Sequence, residues 1–324
     1  MSNVTYSSTN STLYNEPWLC TLQTCPLSWA QVQYDPSLAG NAFYLAIFSL
    51  VLVVQLFFGI RYRTWSFLGA IFGGEILEMI GYIARVQMHY NPFLSNPFLM
   101  YLIVLTIAPC FLSAGIYLCF SRIVVLYGEK FARFKPSTYT IIFITADVFS
   151  LVLQAAGGAL ADTSPGSNSS QGQNGINIMI AGLSFQVVSL FIFMSLCADF
   201  AVQVKRYGAD AREGLRRCGC GVGRFHGFLL ALVIATLTIF IRSCFRVAEL
   251  HGGFNGKLAN DQATFMILEG LMIVIASVAL TVWHPGLVFG GFWNLNRARL
   301  TMRGESEVVA GGKNGVLLTE TGVV

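Results

Sequence analysis

Seven apolar stretches of about 20 residues, separated by shorter polar connections, set the pattern of this chain. They lie at about 40–60, 65–85, 97–120, 138–160, 176–200, 225–248 and 264–284. A helix needs about 20 apolar residues to cross a hydrocarbon core of about 30 Å, so each stretch predicts a transmembrane helix. The first, Gly40 to Ile60, carries no charge and lies between Asp35 and Arg61. The second and sixth contain charges and count as spans because the connections then alternate correctly. All seven are too long for β-barrel strands and lack their alternation. The expected fold is an all-α membrane protein, a seven-transmembrane helix bundle. Residues 1–39 are expected as an extracellular segment, 40–290 as the transmembrane domain and 291–324 as a disordered cytosolic tail.

Composition agrees. Of 324 residues, 55% are hydrophobic and 11% charged, against about 25% charged in soluble domains. The placement of charge adds an orientation. Segments 61–64, 121–137, 201–224 and 285–324 hold 2, 4, 6 and 4 basic residues. The remaining four, Arg85, Arg242, Arg246 and Lys257, all fall near the opposite, outer ends of the spans. The positive-inside rule then puts the N-terminus outside and the C-terminus in the cytosol. Residues 1–39 contain no Lys or Arg and no apolar core, so they do not read as a signal peptide. Sequons at Asn3, Asn10 and Asn168 fall on the expected outer side as glycosylation candidates. The polar stretch 161–175 reads as a flexible loop, and the basic loop 201–224 as one lying against anionic lipid.

The charges inside the spans are the candidate chemistry. An ionised side chain at mid-bilayer costs about 2.5–3.5 kcal/mol on insertion scales, so such residues turn toward protein or water. Glu75, Glu78, Tyr82 and Arg85 fall within one arc of roughly 80° at about 100° per residue. Arg242, Arg246 and Glu249 share a face, and so do Asp147, Gln154 and Gly158. Together with Glu269, these stripes predict a buried polar cavity in the outer half of the bundle. The candidate substrate-binding residues are therefore Glu75, Glu78, Tyr82, Arg85, Asp147, Gln154, Arg242, Arg246, Glu249 and Glu269. The alternative is that they are interhelical pairs that only fix packing.

Cys20 and Cys25 lie in the outer segment, where a disulfide is favoured over free thiols. Cys110, Cys119, Cys197 and Cys244 read as packing residues, and Cys218 and Cys220 as juxtamembrane thiols open to palmitoylation. Gly73, Gly74, Gly81, Gly157, Gly158 and Gly182 allow close helix approach. Pro109 is expected to kink or hinge the third helix.

Several chemistries find no support. His89, His226, His251 and His284 share no helix at metal-ligand spacing, so no metal is expected. Neither a phosphate-binding Gly-x-x-x-x-Gly-Lys-Ser/Thr loop nor a Gly-x-Ser-x-Gly elbow occurs. The seventh span has no Lys for a retinal Schiff base. No cofactor is expected, and no nucleic acid, because the basic residues follow membrane topology.

The ordered motifs resemble a known family. Glu78, Gly81, Tyr82 and Arg85 match a Glu-x-x-Gly-Tyr-x-x-Arg signature. Ala108, Pro109, Ala114, Gly115 and Tyr117 follow on the third span. Asp147, Ser150, Gln154, Gly157 and Gly158 lie on the fourth. Arg242, Arg246 and Glu249 end the sixth, and Glu269 and Trp283 to Gly286 mark the seventh. This set is similar to the fungal lipid-translocating exporters, named for resistance to an aminocholesterol and including proteins linked to sphingoid long-chain base export. Asp261 to Phe265 stands where that family commonly has an aromatic and acidic stretch. The resemblance implies a multi-pass protein of the plasma membrane, or of another fungal endomembrane. Its partner would be a membrane lipid or amphipathic small molecule, and it would be a transporter rather than an enzyme. A seven-helix receptor or sensor, and an intramembrane lipid-modifying enzyme using Glu75 and Glu78, remain open on the sequence alone.

Overall fold

Ser37 starts the first helix: its hydroxyl accepts from the Gly40 amide at 3.3 Å, satisfying one of the donors that a helix start leaves free. From there α1 runs Leu38–Arg61, α2 Trp65–Tyr90, α3 Ser95–Tyr127, α4 Pro136–Asp162, α5 Ser170–Arg206 and α6 Val222–His251. α7 joins three segments, Gln262–Phe265, Met266–Leu271 and Met272–Val282, and a short α8, Pro285–Phe289, follows a turn. The middle segment of α7 is a π-helix. This computed structural model describes residues 20, 25, 30, 32, 34–128, 132–162, 170–206, 222–252 and 261–290, and no strand occurs among them.

Seven of the described helices are long and apolar enough to cross a membrane. The 24 residues of α1 span about 36 Å at 1.5 Å each. Leu50, Phe43, Val53 and Phe57 all point outward from the bundle and stay exposed. A soluble monomer rarely leaves so continuous an apolar face in water. The chain is a multi-pass membrane protein.

Each helix packs on its neighbours in sequence, and α7 closes the ring on α1. α3 is the most buried and also touches α6 across the middle. Short connections leave α1, α3, α5 and α7 starting at one end, called here the cap end. The other end, with Arg61, Arg63 and Lys205, is the basic end. At the cap end Cys20 and Cys25 form a disulfide, packed with Phe93. His89 Nδ1 lies 3.0 Å from Asp35 Oδ1 and 2.8 Å from the Pro36 carbonyl, which holds the segment before α1 against the end of α2.

One expectation changes. Residues 170–175 are not part of a loop but the first turns of α5. The cause is backbone contact between α4 and α5. A methyl group at Gly157 would lie 2.6 Å from the Gly175 carbonyl oxygen, so the two backbones meet with no side chain between them. Tertiary packing overrides the low helix propensity of the Ser170 to Gly175 stretch. Pro109 sits inside α3, and the helix continues on both sides of it.

The basic-end motif Trp283 to Gly286 has a structural explanation. His284 caps α8 by accepting from the Gly286 amide at 3.0 Å, and its ring packs against Phe58, Tyr62 and Phe67. Gly286 is held against the Tyr62 ring, where a Cβ would lie within 2.8 Å of a ring carbon. The Trp283 indole covers Gly227 of α6 in the same way.

Candidate functional site

Two polar stripes and one further acid converge in the cap-end half. α2 presents Glu78, Tyr82 and Arg85, α6 presents Arg242, Arg246 and Glu249, and the π segment of α7 presents Glu269, all of them buried. The π segment adds a residue to the turn, a feature that recurs at functional sites. Gly270 lets two tyrosines pack closely against it. A Cβ at that position would meet the Tyr82 hydroxyl at 2.7 Å and the Tyr44 ring at 2.8 Å. Tyr44 also donates to the Met266 carbonyl at 2.8 Å, which ties α1 to the first residue of the π segment.

The centre is an ion-pair chain. Arg242 Nη2 donates to Glu269 Oε1 at 2.6 Å, and Arg246 Nε lies 3.8 Å from the same oxygen. Arg246 Nη1 donates to Glu249 Oε2 at 2.6 Å, and its Nη2 to the Thr106 hydroxyl at 3.1 Å. Arg242 Nη2 also donates to the Leu105 carbonyl. Buried pairs of this kind need well-placed hydrogen bonds, because the desolvation of each charge costs several kcal/mol.

Glu78 stands beside this chain without joining it. It is within electrostatic reach of Arg242, Glu269, Glu75 and Arg246. Its Oε1 has no hydrogen-bond partner among the described residues, and neither do the Tyr82 hydroxyl and Glu269 Oε2. One helical turn toward the basic end, the Glu75 carboxyl faces the Ser277 hydroxyl. Buried polar atoms left in this state are uncommon in folded proteins and mark a place where a ligand or water completes the set.

Arg85 makes no ion pair among the described residues. Its guanidinium lies 3.9 Å from the Phe265 ring centre and 5.1 Å from that of Tyr101. Nε donates to Asn41 Oδ1 at 3.2 Å and Nη2 to the Tyr34 hydroxyl at 2.8 Å. It closes the cap end of the cluster with aromatic rings rather than a carboxylate.

The α4 stripe does not reach the cluster. Asp147 accepts from the Tyr117 hydroxyl at 3.1 Å. Gln154 donates to Ser150 Oγ at 2.6 Å and Gln186 Oε1 at 3.2 Å. Gln186 in turn donates to Cys110 Sγ at 3.1 Å, and Ser150 to the Gly182 carbonyl at 2.8 Å. These bonds join α3, α4 and α5 in a separate network. So Glu78, Tyr82, Arg85, Arg242, Arg246, Glu249 and Glu269 come together, Glu75 lies one turn away, and Asp147 and Gln154 stand apart.

Sequence reasoning missed Asn41, Tyr34, Tyr101, Thr106 and Phe265, which are ordinary in type and act only through what they touch. Among the described residues no group of three or more His, Cys, Asp or Glu side chains is placed to hold a metal. Asn3, Asn10, Asn168, Cys218 and Cys220 lie outside the described residues.

Comparison with known proteins places this arrangement in context. The family described as RTA1 like protein matches residues 71–291. The sphingoid long-chain base transporter RSB1 of Saccharomyces cerevisiae is 34% identical over 282 residues, covering 79% of this chain and 73% of the relative. The protoporphyrin uptake protein 1 of the same species is 29% identical over 69% of each chain. Its protein RTM1 is 28% identical over 71% of this chain and 70% of the relative. No solved structure matches.

Proposed function

Because the chain belongs to the RTA1 like protein family, we propose that it moves an amphipathic lipid across the membrane, and that this lipid is a sphingoid long-chain base. The observation that carries the reading is Glu78. It is a carboxyl buried at mid-bundle, and one of its oxygens has no hydrogen-bond partner among the described residues. A long-chain base carries an ammonium group on a hydrocarbon tail. Moving that charge through hydrocarbon alone costs several kcal/mol. A carboxyl in the bundle that pairs with the amine offsets the cost. Glu269 Oε2, which is also unpartnered, supplies a second acceptor beside it. The other acids of the cluster are already held by Arg242 and Arg246. Glu78 is therefore the contact for the amine, with Glu269 next to it, and the tail lies between helices.

Topology completes the proposal. The basic end faces the cytosol, as the positive-inside rule requires, so the cap end and residues 1–39 lie outside and the tail 291–324 inside. The direction of transport is outward, from the cytosolic leaflet to the outer one. The protein works in the plasma membrane and gives tolerance to toxic amphipaths, without chemical change to its substrate. The named function of the 34% identical relative supports the substrate class.

The test is leaflet transfer of a labelled sphingoid base in proteoliposomes. The wild type accelerates transfer, and Glu78→Gln, which keeps shape and removes charge, reduces it at least several-fold. Equal transfer with and without protein would reject the proposal. Ligand-dependent recruitment of a cytosolic partner without lipid flux would instead select a sensor.

A further inference from the structure

A second feature lies in the other half of the bundle. A groove of about 490 Å³ opens between α3, α5 and α6, at the basic end. Its walls are apolar, with Phe120, Phe193 and Leu232 at the back. Thr236 is polar in type, but its hydroxyl already donates to the Leu232 carbonyl at 2.7 Å. The groove is thus mostly apolar, with Tyr127 and Cys197 as its other weakly polar neighbours, and such a cavity favours an apolar guest. Along its outer rim Ala198 and Ala201 are exposed, as is Val233, so the guest enters sideways from the bilayer.

Size narrows the guest. From Phe193 to Lys205 the groove follows α5 for about 18 Å at 1.5 Å per residue. That is a little over half of a core of about 30 Å, the depth of one leaflet. A groove of this length and volume has room for one hydrocarbon chain of a lipid. Charge narrows it further. Among the described residues that line the groove, Lys205 is the one charged side chain. It is exposed at the groove mouth, beside Arg206 in the last turn of α5. The nearby carboxylate of Asp199 is engaged by Arg133, with bonds of 2.8 and 3.2 Å.

We propose that this groove is a binding site for a membrane lipid of the basic-end leaflet, with one hydrocarbon chain lying along α5 and an anionic, phosphate-bearing headgroup on Lys205. The site differs from the one proposed for transport in both position and sign of charge. An ammonium head would be repelled where a phosphate is attracted.

Native mass spectrometry of the full chain tests this directly. The protein is reconstituted in phosphatidylcholine containing a minority of phosphatidylserine and released in mild detergent. The expected result is one retained lipid, enriched for phosphatidylserine by about fivefold over the bilayer, the factor one basic residue supplies. Lys205→Gln returns the retained lipid to bilayer composition. Ala201→Trp fills the groove from its exposed rim and removes the lipid of either kind. Ala198→Phe repeats the filling if Ala201→Trp does not fold. The proposal is overturned if phosphatidylserine is not enriched, if enrichment survives Lys205→Gln, or if the retained lipid survives a folded groove-filling variant. It is also overturned if added sphingoid base displaces phosphatidylserine at equal concentration. None of these readings depends on transport, so the site stands or falls apart from the flux experiment.

Discussion

Arg242 on α6 donates to the one carbonyl that Pro109 on α3 strips of its helical donor. A proline inside a helix removes the N–H that would bond four residues back. Four residues before Pro109 is Leu105, and its oxygen accepts from Arg242 Nη2. The same nitrogen donates to Glu269 Oε1 at 2.6 Å. A local defect in α3 thus becomes an attachment point for α6, and through Glu269 for α7. By lacking an N–H, Pro109 leaves the Leu105 carbonyl free to accept from another helix.

Loss of Arg242 should therefore be costly in a specific way. Arg242→Met leaves Glu269 buried with Arg246 at 3.8 Å as its nearest cation. Removing one partner of a buried pair typically costs about 3–5 kcal/mol, whereas replacing both with apolar side chains is often close to neutral. Arg242→Met should lower the thermal unfolding midpoint in detergent, and Arg242→Met with Glu269→Leu should recover most of the loss. A double variant no more stable than the single one would mean the pair is not what the single variant lost.

Two adjacent glycines should respond in opposite directions. At Gly157 a methyl group would meet the Gly175 carbonyl oxygen and the Met179 amide nitrogen, each at 2.6 Å. Both are backbone atoms that cannot swing aside, so Gly157→Ala forces α4 from α5 at a cost of about 1–3 kcal/mol. At Gly158 the nearest atom is Met179 Sδ at 3.9 Å, an ordinary contact. Gly158→Ala should then gain up to about 1 kcal/mol of helix propensity. Unfolding midpoints that move the same way for both would show that the two helices are not in backbone contact.

Asp261 supplies a pH dependence outside the spans. Its carboxylate accepts from the Thr264 hydroxyl and, at 3.2 Å, from the Ala263 amide at the start of α7. The Thr264 bond, more than the backbone ones, holds its carboxyl below the ordinary aspartate range. A lowered folded value means the stabilisation is present above the unfolded pKa and is lost as pH falls through the folded one. Hydrogen-exchange protection of the Ala263 to Phe265 amides, corrected for intrinsic rate, should fall at acid pH below that of unperturbed aspartates. In Asp261→Ala protection should already be low and should not change over that range.

The spans were legible because hydropathy is a property of consecutive residues and needs no knowledge of neighbours. The stripe on α2 and the one on α6 were legible for a similar reason, since helical spacing alone puts Glu78 with Arg85 and Arg242 with Arg246 on common faces. What those faces meet was not legible. Asp147 shares the stripe pattern yet turns to Tyr117, because the packing of α4 on α3 and α5 decides its direction. The π segment around Glu269 packs at Gly270 against Tyr44 and Tyr82 from two other helices, which no local pattern encodes. Residues 170–175 read as a loop by composition and are helical because Gly157 and Gly175 touch. In each case the missing information was a contact between residues far apart in the chain.

Arg85 gives the most direct test of how the cap end is held. Its guanidinium is fixed by two directed donations, to Asn41 and Tyr34, and by the Phe265 ring centre at 3.9 Å. Lysine keeps the charge but not the planar fork that makes those contacts at once. Phe265→Leu keeps apolar bulk and removes the ring face, worth about 2 kcal/mol to a desolvated cation. Arg85→Lys and Phe265→Leu should each destabilise the protein. Together they should cost less than their sum by about 1 kcal/mol or more, since contacting residues couple. Thermal unfolding of the four proteins in one detergent measures that difference. Strict additivity would mean that Phe265 is only a neighbour and that Asn41 and Tyr34 hold Arg85 without it.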